Sequence, residues 1–408
     1  MPLHPKVGVI ALVPDVWEAH FQARHHVLSR LARFFHVVWI NPAPSWRGAV
    51  PTLITGRKLW HDPNQLPGFH VYTPETLLVN FGRPRWLADV TLRKRLQHGV
   101  EILKNQKCTR IVLYLWRPHF ADALRLIDHD LSCYHIDDEY SFSTVERTTA
   151  PKEETLIRTV GQVFVHSPAM MEKKGSLNPN TQLIPNGVDY NLFAQPLAEP
   201  DDLRDIPHPR IGYTGVLKRM LDWELIDKLT RRHPEWSFVF VGPVAHAEVK
   251  ALTAKLSTRP NVHVLPGRSA TELAHFPQHF DVCIMPYRLD DYTKYIYPLK
   301  LHEYLASGVP AVASPIRSLK EFGDVVILAE GEEQWSSALQ RALSSAENSA
   351  APRNSRQRTA QAYDWQVIVE RIADTMLSRL NEPNDAISPS NSATCAECDL
   401  PIELPGRK

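Results

Sequence analysis

The stretch Tyr297-Pro-Leu-Lys-Leu-His-Glu-Tyr-Leu-Ala-Ser-Gly-Val-Pro-Ala-Val-Ala-Ser314 is the most informative in this 408-residue chain. It reads as a loop, a short helix carrying Lys300 and Glu303, a glycine C-cap at Gly308, and a buried strand. A cation near a helix start opposes the macrodipole unless an anion sits there. A phosphate would satisfy both the lysine and the free N–H groups. A carboxylate one turn further on can accept two hydrogen bonds from a ribose diol. Taken as an isolated pair, Lys300 and Glu303 read more simply as an i,i+3 surface pair, so their surroundings have to decide.

The same helix-then-strand unit recurs on both sides. Short β-branched or aromatic runs alternate with longer amphipathic stretches, which predicts βα units and parallel sheets. Strands are expected at Val7–Val13, Val37–Asn41, Ile111–Leu115, Cys133–Ile136 and Gln162–His166, with helices near 20–34, 85–104, 120–128 and 152–160. Residues 43–82, rich in Pro and Gly, read as irregular. After Ile184-Pro-Asn-Gly-Val-Asp189 and a Pro/Asp-rich connector the pattern restarts, with strands at Arg210–Tyr213, Phe238–Val241, Val262–Leu265, Asp281–Met285, Pro310–Ala313 and Val325–Leu328. Two α/β domains follow, 1–188 and 189–360. A helix over 361–380 is expected to cross back to the first domain, and the Pro/Ser/Asn-rich tail 381–408 reads as disordered.

Ligands of open parallel sheets bind beyond the carboxyl ends of the strands. That rule selects Asp137-Asp138 and Trp116-Arg117 in the first half. In the second it selects Thr214-Gly215, Gly242-Pro243, Gly267-Arg268, Pro286-Tyr287 and Ser314-Pro315.

Composition narrows the class. Lys plus Arg is 46 against 45 Asp plus Glu, so nothing global suggests nucleic-acid binding. Residues 1–110 are nonetheless basic, with 15 Lys/Arg against 6 Asp/Glu. Within them, 83–110 holds 8 Lys/Arg, 2 Asp/Glu and Trp86, a pattern that suits either a solvated helix face or peripheral contact with an anionic membrane. Five cysteines make no disulfide framework, and the Cys395/Cys398 pair lacks the second pair a zinc site needs. No run approaches 18 consecutive apolar residues, and Val7–Val13 reads as a strand rather than a signal peptide. The expected location is cytoplasmic, peripheral on the inner membrane face if the basic segment binds lipid. Asp128-His-Asp130 has a D-x-D spacing, but it precedes its strand and so falls on the wrong edge for a metal site. His25-His26, His275 and His279 lack ligand partners at metal spacing.

The Tyr297–Ser314 segment resembles the nucleotide-binding motif of GT-B-fold, sugar-nucleotide-dependent glycosyltransferases, in particular the family-four type of bacterial polysaccharide synthesis. Further stretches fit in the same order: Trp17…Gln22-Ala-Arg-His25, Tyr134-His-Ile-Asp-Asp138, Val163-Phe-Val-His-Ser167, Ile184-Pro-Asn-Gly-Val-Asp189, Ile211-Gly-Tyr-Thr-Gly215, Phe238-Val-Phe-Val-Gly-Pro243, Asn261-Val-His-Val-Leu-Pro-Gly267 and Asp281-Val-Cys-Ile-Met-Pro286. The likeness covers about residues 6–380. It implies two Rossmann-like domains with parallel sheets facing across a cleft. It also implies transfer of a sugar from a nucleotide diphosphate sugar, UDP-linked by expectation, to a glycan or lipid-linked acceptor. No metal cofactor is implied.

By the same resemblance, Glu303 matches the ribose-binding glutamate and Lys300 a diphosphate contact. Lys218-Arg219, past Gly215, match the phosphate clamp, and Arg268 lies where the base is contacted. Tyr295 stands where many members carry a second glutamate against the donor sugar. The chemistry further needs charge stabilisation on the departing diphosphate and a group to take the acceptor's proton. Asp137 and Asp138 are the candidates for the second task. As adjacent carboxylates at a buried strand end they are expected to have raised pKa values, although a helix N-cap is the plainer role for either. Arg24, His25 and Arg117 are candidate acceptor or donor-sugar contacts. A nucleotide-sugar epimerase of this fold, or a non-catalytic sugar-nucleotide or glycan-binding protein, are the competing functions.

Overall fold

The computed structural model describes residues 1–18, 22–43, 66–75, 78, 84–142 and 150–381. The first half builds a parallel sheet from β1 (Val7–Leu12), β2 (His36–Ile40), β3 (Phe69–Tyr72), β4 (Arg110–Leu115), β5 (Leu131–Ile136), β6 (Gln162–Val165) and β7 (Thr181–Leu183). Their order is β3-β2-β1-β4-β5-β6-β7, and every pair is parallel. The second half repeats the scheme with β8 (Arg210–Thr214), β9 (Ser237–Val241), β10 (Val262–Leu265), β11 (Val282–Met285), β12 (Ala311–Ala313) and β13 (Ile327–Leu328), in the order β10-β9-β8-β11-β12-β13.

Both sheets are covered on two faces, so their central strands read as unbroken apolar runs; β1, β2 and β9 are buried at every residue. The strand order reverses between β1 and β4 and again between β8 and β11. Successive connections leave in opposite directions there and open a crevice at the carboxyl edge. The helix Ala350–Ala362 packs on the second half through Ala360. The next helix, Trp365–Asn381, instead buries Trp365, Ile368, Val369, Ile372, Ala373 and Met376 among Val9, Val37, Trp39 and Val112 of the first sheet. Those residues recur at i, i+3 and i+4, which gives the helix one continuous apolar stripe.

The sequence reading needs correction at several points. Within 43–82, read as irregular, Phe69–Tyr72 forms the edge strand β3 beside β2. Its four residues are too few for periodicity to reveal. The helix expected near 120–128 is a 3₁₀ stretch, Pro118–Arg125, started by a proline. The helix Pro168–Lys174, N-capped by the Ser167 side chain, and the short strand β7 went unanticipated. Residues 382–408, with Cys395 and Cys398, lie outside the described residues. No described helix is long and apolar enough to cross a membrane.

Candidate active site

The helix Leu299–Ser307 ends at Gly308, whose φ of +76° supplies the left-handed cap that stops it. Tyr304 on this helix points its hydroxyl at the end of β8, where it accepts from the Thr214 N–H at 2.8 Å. That bond sets the helix against the Gly215 turn. Gly215 has φ +117°, and a Cβ there would stand 2.9 Å from Lys300 Nζ. Gly242 follows β9 with φ +151°, and a Cβ there would fall 2.2 Å from the Gly215 carbonyl oxygen. Two turns therefore meet backbone to backbone, and the lysine fills the space that a side chain at 215 would take.

Lys300 Nζ lies 5.0 Å from the Tyr213 ring centre. Burial works against its charge, but Tyr213, Tyr287 and Glu303 outweigh burial and hold the ammonium above its ordinary pKa. Glu303, half-buried one turn later, has its carboxyl pushed up by burial, an effect that Lys300 opposes. Among the described residues, neither Lys300 nor Glu303 has an ion-pair partner, and the Glu303 carboxylate makes no hydrogen bond. Lys218 stands close enough to Lys300 that burial and this like charge both lower its pKa, while Asp138 acts in the opposite sense.

Asp138 belongs to the first sheet, at the end of β5. The two carboxylates there differ. Asp137 is gripped by Arg24 at 2.7 Å, by Arg117, and by the Tyr140 hydroxyl at 2.8 Å. Burial alone would raise its pKa, but Arg117 and Arg24 hold it below the usual carboxylate range. This corrects the expectation that both acids are raised. Asp138 keeps that behaviour, because burial and the Asp137 charge push its carboxyl up. It accepts from the Glu139 N–H at 2.8 Å, and His166 at the end of β6 faces it.

Several candidates do not converge on this centre. Arg24, 3% exposed, is committed to Asp15 and Asp137. Arg117 binds Asp137, the Trp116 carbonyl and Tyr140. His25 lies fully buried between Trp17 and Trp39, where burial and then Arg24 depress its pKa to about 4. These three brace the first-domain loops from below. Arg219 reaches out to Glu248 and Arg268 to Asp202. Tyr295 turns toward the first domain, with Phe142 at 6.2 Å and Lys173 Nζ 5.1 Å above its ring. Asp130 accepts from the Ile111 N–H at 2.7 Å and pairs with Arg110 at 2.9 Å, so it buttresses the amino edge of the sheet.

Sequence reasoning missed Tyr140, Tyr213 and His166. The strand-end rule, applied to β6, points directly to His166. The tyrosines carry no local signal, because only the fold brings them to charged partners.

Comparisons with known proteins bear on this geometry. Residues 208–345 match the family described as glycosyl transferases group 1. Those residues carry all six strands of the second sheet. A 140-residue region is also 34% identical to TuaH of Bacillus subtilis (strain 168), a glycosyltransferase named for teichuronic acid biosynthesis. That match takes in 33% of this chain and 34% of TuaH, so the chain spans about a third of the length of the curated relative it matches. Among solved structures, the fold is similar to sucrose-phosphate synthase from Thermosynechococcus elongatus, with TM-score 0.68, 16% identity, and 91% and 98% of the two chains covered. It is also similar to Anabaena HepE in complex with UDP and glucose, with TM-score 0.64, 18% identity and coverage of 92% and 100%. The lipopolysaccharide-biosynthesis glycosyltransferase WaaG follows at TM-score 0.56, 15% identity and coverage of 90% and 98%. At such identities the likeness speaks for the fold: the two sheets have the GT-B arrangement. The Lys300–Glu303 helix and the Gly215 turn lie inside the matched region, whereas Asp137 and Asp138 lie outside it.

Proposed function

We propose that this protein transfers a sugar from a UDP-linked donor to a glycan or lipid-linked acceptor in the synthesis of a cell-surface polysaccharide. The observation that carries the reading is the pair Lys300 and Glu303, charged and without ion-pair partners among the described residues, beside the close-packed Gly215 and Gly242 turns. A diphosphate beside Lys300, with Lys218 near it, gives the two lysines the anion they lack. Glu303 is placed to take both hydroxyls of a ribose. As the glycosidic bond to the diphosphate breaks, Lys300 and Lys218 stabilise the charge that develops on the departing oxygen. Across the cleft Asp138, its carboxyl raised by burial and by Asp137, receives the proton of the acceptor hydroxyl. Arg24 and Arg117 act at one remove, by keeping Asp137 ionised and in place.

The class of substrate draws on three relatives: TuaH by its name, HepE by its UDP and glucose, and WaaG by its role in lipopolysaccharide biosynthesis. A lipid-linked acceptor suits the helix Arg85–Asn105, which exposes Trp86 at 66% and Val90 at 43% beside Arg93 and Lys94. On this reading the enzyme works at the inner face of the cytoplasmic membrane without spanning it. The test is calorimetric titration of UDP into wild type and Glu303→Ala. Loss of a charge-assisted pair of hydrogen bonds should weaken UDP binding about 10- to 100-fold. Unchanged affinity would remove Glu303 from the site. Product analysis of UDP-sugar turnover, with and without added glycan, separates transfer from epimerisation.

A further inference from the structure

We propose that Arg356, with Gln357 beside it, is a positioning residue for Lys300 and Glu303. The inference rests on the reading above, in which those two side chains hold a nucleotide diphosphate. A helix leaves its last carbonyl groups without intrahelical partners. In the helix Leu299–Ser307 the earlier of them are met locally. Ser307 Oγ donates to the Tyr304 carbonyl at 2.7 Å, and the Gly308 N–H donates to that of Leu305 at 3.1 Å. The next three carbonyls along the chain are met by one other helix, Ala350–Ala362. Gln357 Nε2 donates to the Ala306 carbonyl at 3.2 Å, Arg353 Nη2 to that of Ser307 at 3.5 Å, and Arg356 Nε to that of Gly308 at 3.0 Å. Residues 353, 356 and 357 share one face of their helix by their i, i+3, i+4 spacing. Two of the donors are guanidinium groups, placed at the negative end of the facing helix dipole.

Gly308 admits this approach. A Cβ there would fall 2.7 Å from Arg353 Cγ and 3.3 Å from Gln357 Nε2, so a side chain at 308 would push the two helices apart. Arg356 is the innermost of the three donors, 3% exposed. Its Nη2 donates to the Glu347 carbonyl at 2.8 Å, and its Nη1 lies 3.6 Å from the Glu347 carboxylate. That second attachment holds the guanidinium still. The Lys300–Glu303 helix is thus fastened at two places. The Tyr304–Thr214 bond sets its distance from the Gly215 turn, and the Arg356 group fixes its far end. Carbonyls at a helix C-terminus point along the axis, so donors seated there oppose a slide in that direction. A slide of about 1 Å would carry Lys300 and Glu303 off a diphosphate and a ribose together, and misplacement on that scale is costly wherever geometry is tight.

The experiment is calorimetric titration of UDP into Arg356→Met and Arg356→Lys, with Arg210→Met as control, each well below its unfolding temperature. Arg210 is equally buried in the same domain, but it serves the Ile206 and Leu203 carbonyls at the amino end of β8 and leaves the Lys300–Glu303 helix alone. Both Met variants should lose stability, because each leaves buried carbonyls without donors. Only Arg356→Met should weaken UDP, about tenfold, as charge-assisted bonds to the ligand are pulled out of line. Arg356→Lys, which keeps a cationic donor for Gly308, should recover UDP affinity to within about threefold of wild type. Affinity in Arg356→Met no weaker than in Arg210→Met overturns the proposal. Should Arg356→Met fail to fold, Gln357→Leu, at a half-buried and uncharged position, takes its place, and unchanged UDP affinity there is equally fatal. If wild type fails to bind UDP, the glycosyltransferase reading falls instead. Hydrogen exchange of the 299–307 amides then still decides whether Arg356 holds the helix: it should quicken more in Arg356→Met than in Arg210→Met, and equal exchange in the two overturns the proposal.

Discussion

The loop after β5 and the Gly215–Lys300 corner after β8 occupy equivalent edges of two parallel sheets, yet they use charge in opposite ways. In the first, Arg24 and Arg117 close on Asp137 and Asp15. In the second, Lys300 and Glu303 stand one helical turn apart, and neither has an ion-pair partner among the described residues. Charges that satisfy one another inside the protein brace a loop. Charges kept apart at the mouth of a crevice await something that carries the complementary groups, and burial makes them costly until it arrives.

The largest test of that contrast is Asp137→Ala. It leaves two little-exposed guanidinium groups without their shared carboxylate and should cost about 3–5 kcal/mol in denaturant unfolding. A loss under about 1 kcal/mol would mean that the cluster braces nothing. The pH dependence has a definite sign. Because the folded pKa of Asp137 is depressed, its contribution is complete above the unfolded value near ~3.9 and disappears as pH falls through the lower folded value.

Lys300→Met comes next. It keeps an aliphatic stem against Tyr213 and removes the charge, so UDP affinity should fall about 10- to 100-fold while unfolding changes little. Comparable damage to stability would place Lys300 with the bracing arginines instead. Asp138→Asn sharpens the contrast from the other side. The folded pKa of Asp138 is raised, so ionisation costs stability once pH exceeds the unfolded value. The amide should therefore raise the melting temperature slightly at neutral pH, an advantage that vanishes in acid where both forms are neutral. The smallest effect is expected at Arg219, 63% exposed and paired with Glu248. Arg219→Ala should change stability by under about 1 kcal/mol and weaken UDP about threefold at most, as read by the same calorimetry.

Much of the architecture was legible in the residues. Runs such as Val7–Leu12 and Ser237–Val241 are buried on both faces, and a strand in that position must be apolar throughout. The six residues of the Trp365–Asn381 stripe likewise show the helix before they show its partner. The edge strand Phe69–Tyr72 was not legible, because four residues, two buried and two half-buried, are too few to carry a periodic signature.

The chain on its own determined the αβ alternation, the Gly308 stop, and the presence of Lys300 and Glu303 on one short helix, since these follow from side-chain periodicity and local backbone preference. Tertiary structure alone decided that Asp137 is clamped while its neighbour Asp138 is raised, that Arg219 and Arg268 turn to Glu248 and Asp202, and that Tyr295 packs against Phe142 and Lys173 of the opposite lobe. The reason is physical. The charge state and use of an ionisable group depend on which partners approach within a few ångströms, and here those partners lie scores of residues away along the chain.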